Sequence, residues 1–95
     1  MQVFKGDEIT IDGLEFICIC SICPEAYDVY TEDVCEVQAY VKIRYGKIRC
    51  WYGETAASEL IYEHQLEELQ GAFYKHEERM LHLTAIAKII NERIK

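Results

Sequence analysis

The side chains best suited to recognition cluster between positions 40 and 51. Tyr40, Lys42 and Arg44 alternate along one run, and Arg49 and Trp51 follow within reach of one hairpin. Four of the ten basic residues, Lys42, Arg44, Lys47 and Arg49, fall within eight positions of a chain with formal net charge -7. Read with Gly46-Lys47 as a two-residue turn, the hairpin pairs Tyr45 with Ile48, Arg44 with Arg49 and Lys42 with Trp51. Tyr40, Lys42, Arg44, Arg49 and Trp51 then share an outward face. Val41, Ile43, Tyr45, Ile48, Cys50 and Tyr52 form the inward one. Like charges directly across a ladder are destabilising, so this face calls for a counter-charge. Guanidinium forks beside stacking rings suit an anionic or nucleotide-like ligand. The competing source of charge is the chain's own carboxylates, with Glu36, Glu54, Glu63 and Glu67 as candidates.

The thiols are the second constellation. Cys18, Cys20 and Cys23 give the spacing C-x-C-x-x-C, and such a density of thiolates is able to hold zinc. Structural zinc sites use paired C-x-x-C steps, however, and only one step occurs here. Cys18 and Cys20 share a strand face with Phe16 and Ile22, where cysteine behaves as a small hydrophobe. Core packing is therefore expected, with no metal and no cofactor. An odd number of cysteines, five in all, with no export signal in the first residues points to reduced thiols and a cytoplasmic setting.

Catalytic sets are not apparent. Ser21 and Ser58 are the only serines, and neither lies in a nucleophile-elbow context. His64, His76 and His82 are separated by 12 and 6 residues, so no pair has the i,i+4 spacing of a helical metal site. His64 and His82 read as surface residues, and His76 as part of a helical seam. Glycine-rich phosphate loops are lacking. The chain is not expected to be an enzyme.

The elements that must position these residues divide the chain in two. Ile9-Thr10-Ile11 and Leu14-Glu15-Phe16 flank Asp12-Gly13, a turn signal that sets Ile11 opposite Leu14 and Ile9 opposite Phe16. The second strand continues toward Ile22 and ends before Pro24. A short strand is expected at 27–30, and a longer one alternates cleanly from Cys35 to Tyr45. Ile48 to Gly53 returns antiparallel. From about Thr55 the period becomes helical, with Thr55 or Ser58 as caps and Gly71 on the back of the helix. The expected fold is thus α+β: an antiparallel meander of four to five strands over 1–54, then a long amphipathic helix over 55–95, continuous or broken near Gly71. Ninety-five residues support one domain.

The helical half carries a seam at alternating spacings of three and four: Leu66, Leu69, Phe73, His76, Met80, Leu83, Ala87 and Ile90. A helix of nearly 40 residues is roughly 60 Å long, more than one protomer's sheet covers. Either it folds back near Gly71 or the overhang packs on a second copy. Leu81, Ile86 and Ile89 widen the apolar surface beyond one face and favour the second copy, a two-fold dimer.

The acidic balance, 17 carboxylates against 10 basic residues, works against whole-surface attraction to nucleic acid or an anionic membrane. The most apolar window, Leu14 to Ile22, is too short to span a bilayer. These features together predict a non-enzymatic, homo-oligomeric binding protein that grips an anionic small molecule or a protein target. Its size and charge suit an inhibitory or sequestering role of the phage or mobile-element counter-defence kind. The alternative is an acidic inhibitor that mimics nucleic acid and occludes a basic groove, with Glu63, Glu67, Glu68, Glu77 and Glu78 presenting the charge.

Overall fold

The computed structural model describes residues 3–21, 24–66, 71–73 and 75–94. Six strands form one antiparallel sheet in sequence order: β1 (Glu8–Ile11), β2 (Leu14–Cys20), β3 (Glu25–Thr31), β4 (Val34–Arg44), β5 (Lys47–Tyr52) and β6 (Glu59–Gln65). One helix, α1 (His76–Ile94), follows. The α+β meander with a C-terminal helix is as the sequence predicts. The sheet, however, extends to Gln65, and the helix is 19 residues long.

Local chemistry accounts for the hairpins. Asp12 and Gly13 take φ of 49° and 81°, the left-handed pair that closes a two-residue turn in register with right-twisted strands. Ile11 pairs with Leu14 and Ile9 with Phe16, as read from the sequence. In the β4–β5 hairpin the left-handed pair is Tyr45 and Gly46, with φ of 52° and 75°. The turn is therefore Tyr45-Gly46 and not Gly46-Lys47. Glycine takes the second turn position, as in Asn-Gly and Asp-Gly turns, which displaces Tyr45 from the inward face. It is 72% exposed.

The core occupies one side of the sheet. Leu14, Phe16 and Cys18 of β2, Tyr27 and Val29 of β3, Ala39, Val41 and Ile43 of β4, and Ile48 and Cys50 of β5 are all buried there. Against them α1 places Leu83, Ile86, Ala87 and Ile90, each fully buried. Their i, i+3, i+4, i+7 spacing makes one apolar stripe, and removing it from water is the main force seating the helix. The helix reaches β1 and β6, the two edge strands of the sheet. Asn91 Nδ2 donates to the Asp12 carbonyl at 3.1 Å, and Arg93 pairs with Glu59, tying the last turns to both edges.

These contacts relocate the predicted interface residues. Leu83, Ala87 and Ile90 face the protomer's own sheet, so that part of the seam is an intramolecular core. Leu66 and Phe73 are also buried, while His76 and Met80 are half-buried at the start of α1. Leu69 lies outside the described residues. Gly71 precedes the helix, and its carbonyl accepts a 2.7 Å hydrogen bond from the Glu25 amide. Thr55 and Ser58 belong to the turn before β6: the Ser58 amide donates to the Thr55 carbonyl at 3.0 Å, and neither residue caps a helix. No helix among the described residues is long and apolar enough to cross a membrane.

Candidate binding face

The sheet face turned away from α1 carries the basic and aromatic residues. Tyr40 pairs with Trp51, Lys42 with Arg49 and Arg44 with Lys47. A turn at Gly46-Lys47 would set Arg44 opposite Arg49. The observed register moves each partner by two residues, which keeps every side chain except that of Tyr45 on its expected face. Tyr40, Lys42, Arg44, Arg49 and Trp51 therefore do come together, and Lys47 joins them from the first position of β5. The result is two successive cross-strand pairs of like charge, an unfavourable arrangement unless something anionic lies over it.

Self-neutralisation is partial. β6 brings Glu63 beside Arg49, with Nε 2.6 Å from Oε2, both side chains partly exposed. The hydrogen bond from Arg49 holds the Glu63 carboxyl below its ordinary range, and Arg49 and Lys47 add to the effect through their charge. Among the described residues Lys42, Arg44 and Lys47 form no ion pair. Arg44 instead lies over the ring of Tyr45, 5.0 Å from its centroid, and this cation–π contact leaves the charge in place.

The rings beside the cations are ordered. Tyr40 and Trp51 stack with centroids 5.6 Å apart and planes 24° apart. Burial pushes the Tyr40 hydroxyl above its ordinary value, with Asp28 and Cys20 adding to the shift, so the ring stays neutral and able to donate. The same row continues through Asp28 and Ile17 on one side and Leu60 on the other. Leu60 is 46% exposed, an apolar neighbour of Trp51 that the sequence reading placed in a helix. Burial raises the Asp28 carboxyl, and Glu54 reinforces the shift.

The remaining candidates fall elsewhere. Cys18 and Cys50 are buried and Cys20 is half-buried, none of them in a disulfide; Cys23 lies outside the described residues. Burial raises the Cys18 thiol and pushes Cys50 up to about 12. Among the described residues no three potential metal ligands converge. His82, read as a surface residue, is only 6% exposed. Its Nδ1 is 2.8 Å from the Tyr62 hydroxyl, and its ring packs against those of Phe73 and His64. The acidic residues offered for nucleic-acid mimicry do not share one helix: Glu63 is on β6, Glu77 and Glu78 are on α1, and Glu67 and Glu68 lie outside the described residues.

Comparison with protein-family models, curated proteins and solved structures finds no match.

Proposed function

We propose that the protein is a non-enzymatic binding protein that holds an anionic, ring-bearing ligand on the open face of the β4–β5 hairpin. One observation carries the reading: Lys42, Arg44 and Lys47 lie together without ion pairs among the described residues, beside the stacked rings of Tyr40 and Trp51. A phosphate or carboxylate over the Lys42–Arg49 and Arg44–Lys47 pairs offsets their repulsion. A flat ring on Trp51 or Tyr40 adds stacking, worth on the order of 1–3 kcal/mol where bases stack on aromatic side chains. Nucleotides offer both features, and an acidic surface of a protein target offers the first. Sequestration of such a ligand fits a small chain with no evident catalytic set.

Trp51 is the single tryptophan, so its emission reports directly on this face. Titration with ATP is expected to quench it, adenosine or inorganic phosphate alone having a much weaker effect. In an Arg44→Ala/Arg49→Ala variant the ATP response falls at least tenfold. Equal responses of the variant and the wild type contradict the reading.

A further inference from the structure

With Leu83, Ala87 and Ile90 buried against the sheet, α1 retains a second stripe that its own sheet does not cover. Leu81 is 69% exposed and stands as a ridge at the centre of the outer side of the helix. A groove of about 580 Å³ lies on one flank, formed by Met80, Leu81, Thr84 and Ala85 and closed at its ends by Glu77, Lys88 and Asp12. A second recess of about 410 Å³ lies on the other flank, where Leu81 and Ala85 meet Tyr62, His64 and His82. A large apolar ridge beside a groove floored by small residues is the shape of a helix-packing contact.

We infer that this stripe is a self-association surface and that its occupant is α1 of a second copy, packed antiparallel about a two-fold axis. The order of residues argues for a second copy over an unrelated partner. A two-fold pairing centred between Leu81 and Thr84 sets Leu81 over the small Thr84 and Ala85 of the other helix, twice. The same operation sets Glu77 opposite the other copy's Lys88, also twice. Neither Glu77 nor Lys88 forms an ion pair within the protomer among the described residues. A surface that complements itself in both shape and charge under one rotation is what an isologous contact requires. The parallel arrangement lacks this match, because it sets Glu77 against Glu77.

The contact runs from Glu77 to Lys88, about 16 Å of helix. That is short for an interface of standard size, so the dimer is concentration-dependent and salt-sensitive. The inference stands apart from the proposed function. The helix and the open hairpin face lie on opposite sides of the sheet, so a dimer joined through α1 presents two hairpin faces outward.

Sedimentation equilibrium over a concentration series tests the contact. The wild type is expected to pass from monomer to dimer. Leu81→Glu raises the dissociation constant at least tenfold without lowering the melting temperature at concentrations where the wild type is monomeric, since the residue is exposed. Glu77→Lys and Lys88→Glu each weaken the dimer about fivefold, and the two together restore it. A wild type that is monomeric throughout, or a dimer indifferent to Leu81→Glu, overturns the inference, as does failure of the exchanged pair to recover. ATP quenching of Trp51 is expected to be the same in Leu81→Glu as in the wild type, so failure of the dimer and failure of the ligand reading are told apart.

Discussion

Arg79 of α1 grips Glu25 of β3 at two points, Nε donating to Oε2 at 2.8 Å and Nη2 to Oε1 at 3.0 Å. Glu25 is fully buried and Arg79 is 2% exposed. The remaining capacity of the carboxylate is taken by the Tyr27 hydroxyl, which donates to Oε2 at 2.7 Å, and by the Phe73 amide, which donates to Oε1 at 3.1 Å. Burial works against the Arg79 charge, but the hydrogen bond and field of Glu25 more than restore it, so its pKa is raised. Sheet, helix and the segment before the helix thus meet at one carboxylate.

Removing either partner leaves a buried charge uncompensated. Glu25→Gln and Arg79→Met are each expected to lower stability by about 3–5 kcal/mol. The double variant loses less than the sum of the two, because no orphan charge remains. Urea denaturation midpoints check both statements, and additive losses count against a coupled pair.

His82 is expected to make the helix–sheet junction sensitive to acid. Burial lowers its pKa, the facing His64 lowers it further, and Glu78 one turn earlier opposes them. Because the folded state disfavours the protonated ring, the stability contribution is full above the unfolded-state value, about 6.5. It is lost as pH falls from there toward the depressed folded value. Melting temperature is expected to decline between pH 7 and pH 5, and His82→Gln to flatten that decline. A slope unchanged by the substitution contradicts the assignment.

The thiols should react in an order set by burial. Cys50, with its pKa raised to about 12, and Cys18, also raised, hold their protons at neutral pH and lie under the sheet. Cys20 is half-buried; a register shift after Cys18 pairs it with Ala26, in the row of Lys42, so it lies on the open side and not on the face of Cys18 as the sequence alone suggests. Iodoacetamide on the native protein, read by peptide mass, is expected to label Cys20 well before Cys18 and Cys50. Denaturant should bring the rates together.

Tyr45 occupies a left-handed turn position that costs an ordinary side chain about 1–2 kcal/mol. Tyr45→Asn is expected to stabilise the hairpin by roughly 0.5–1 kcal/mol, since asparagine tolerates this conformation. The register with Gly46-Lys47 at the turn predicts the reverse, because Tyr45 would then be an inward residue. The sign of the change in melting temperature decides between the two registers.

Much of this architecture is legible in the residues, for identifiable reasons. Asp12-Gly13 admits few other turns, and the strict alternation along β4 assigns its faces. The β4–β5 face survived a misplaced turn because the error moved partners by two positions, and side chains repeat with period two. β6 was not legible. A register shift where Cys50 and Trp51 meet it turns Ile61 and Tyr62, adjacent in sequence, both toward the core. Alternation is lost, and Glu59, Glu63 and Leu66 at spacings of four and three imitate a helix. The Glu25–Arg79 joint was not legible either, since its partners lie 54 residues apart and neither belongs to a motif.

If the open hairpin face holds the ligand, amide chemical shifts should move there during titration with ATP. Perturbations are expected to concentrate at Tyr40, Lys42, Arg44, Lys47, Arg49 and Trp51, with the Trp51 indole among the largest. Perturbations gathered on α1 or on the acidic turns, with the hairpin unmoved, would contradict that reading.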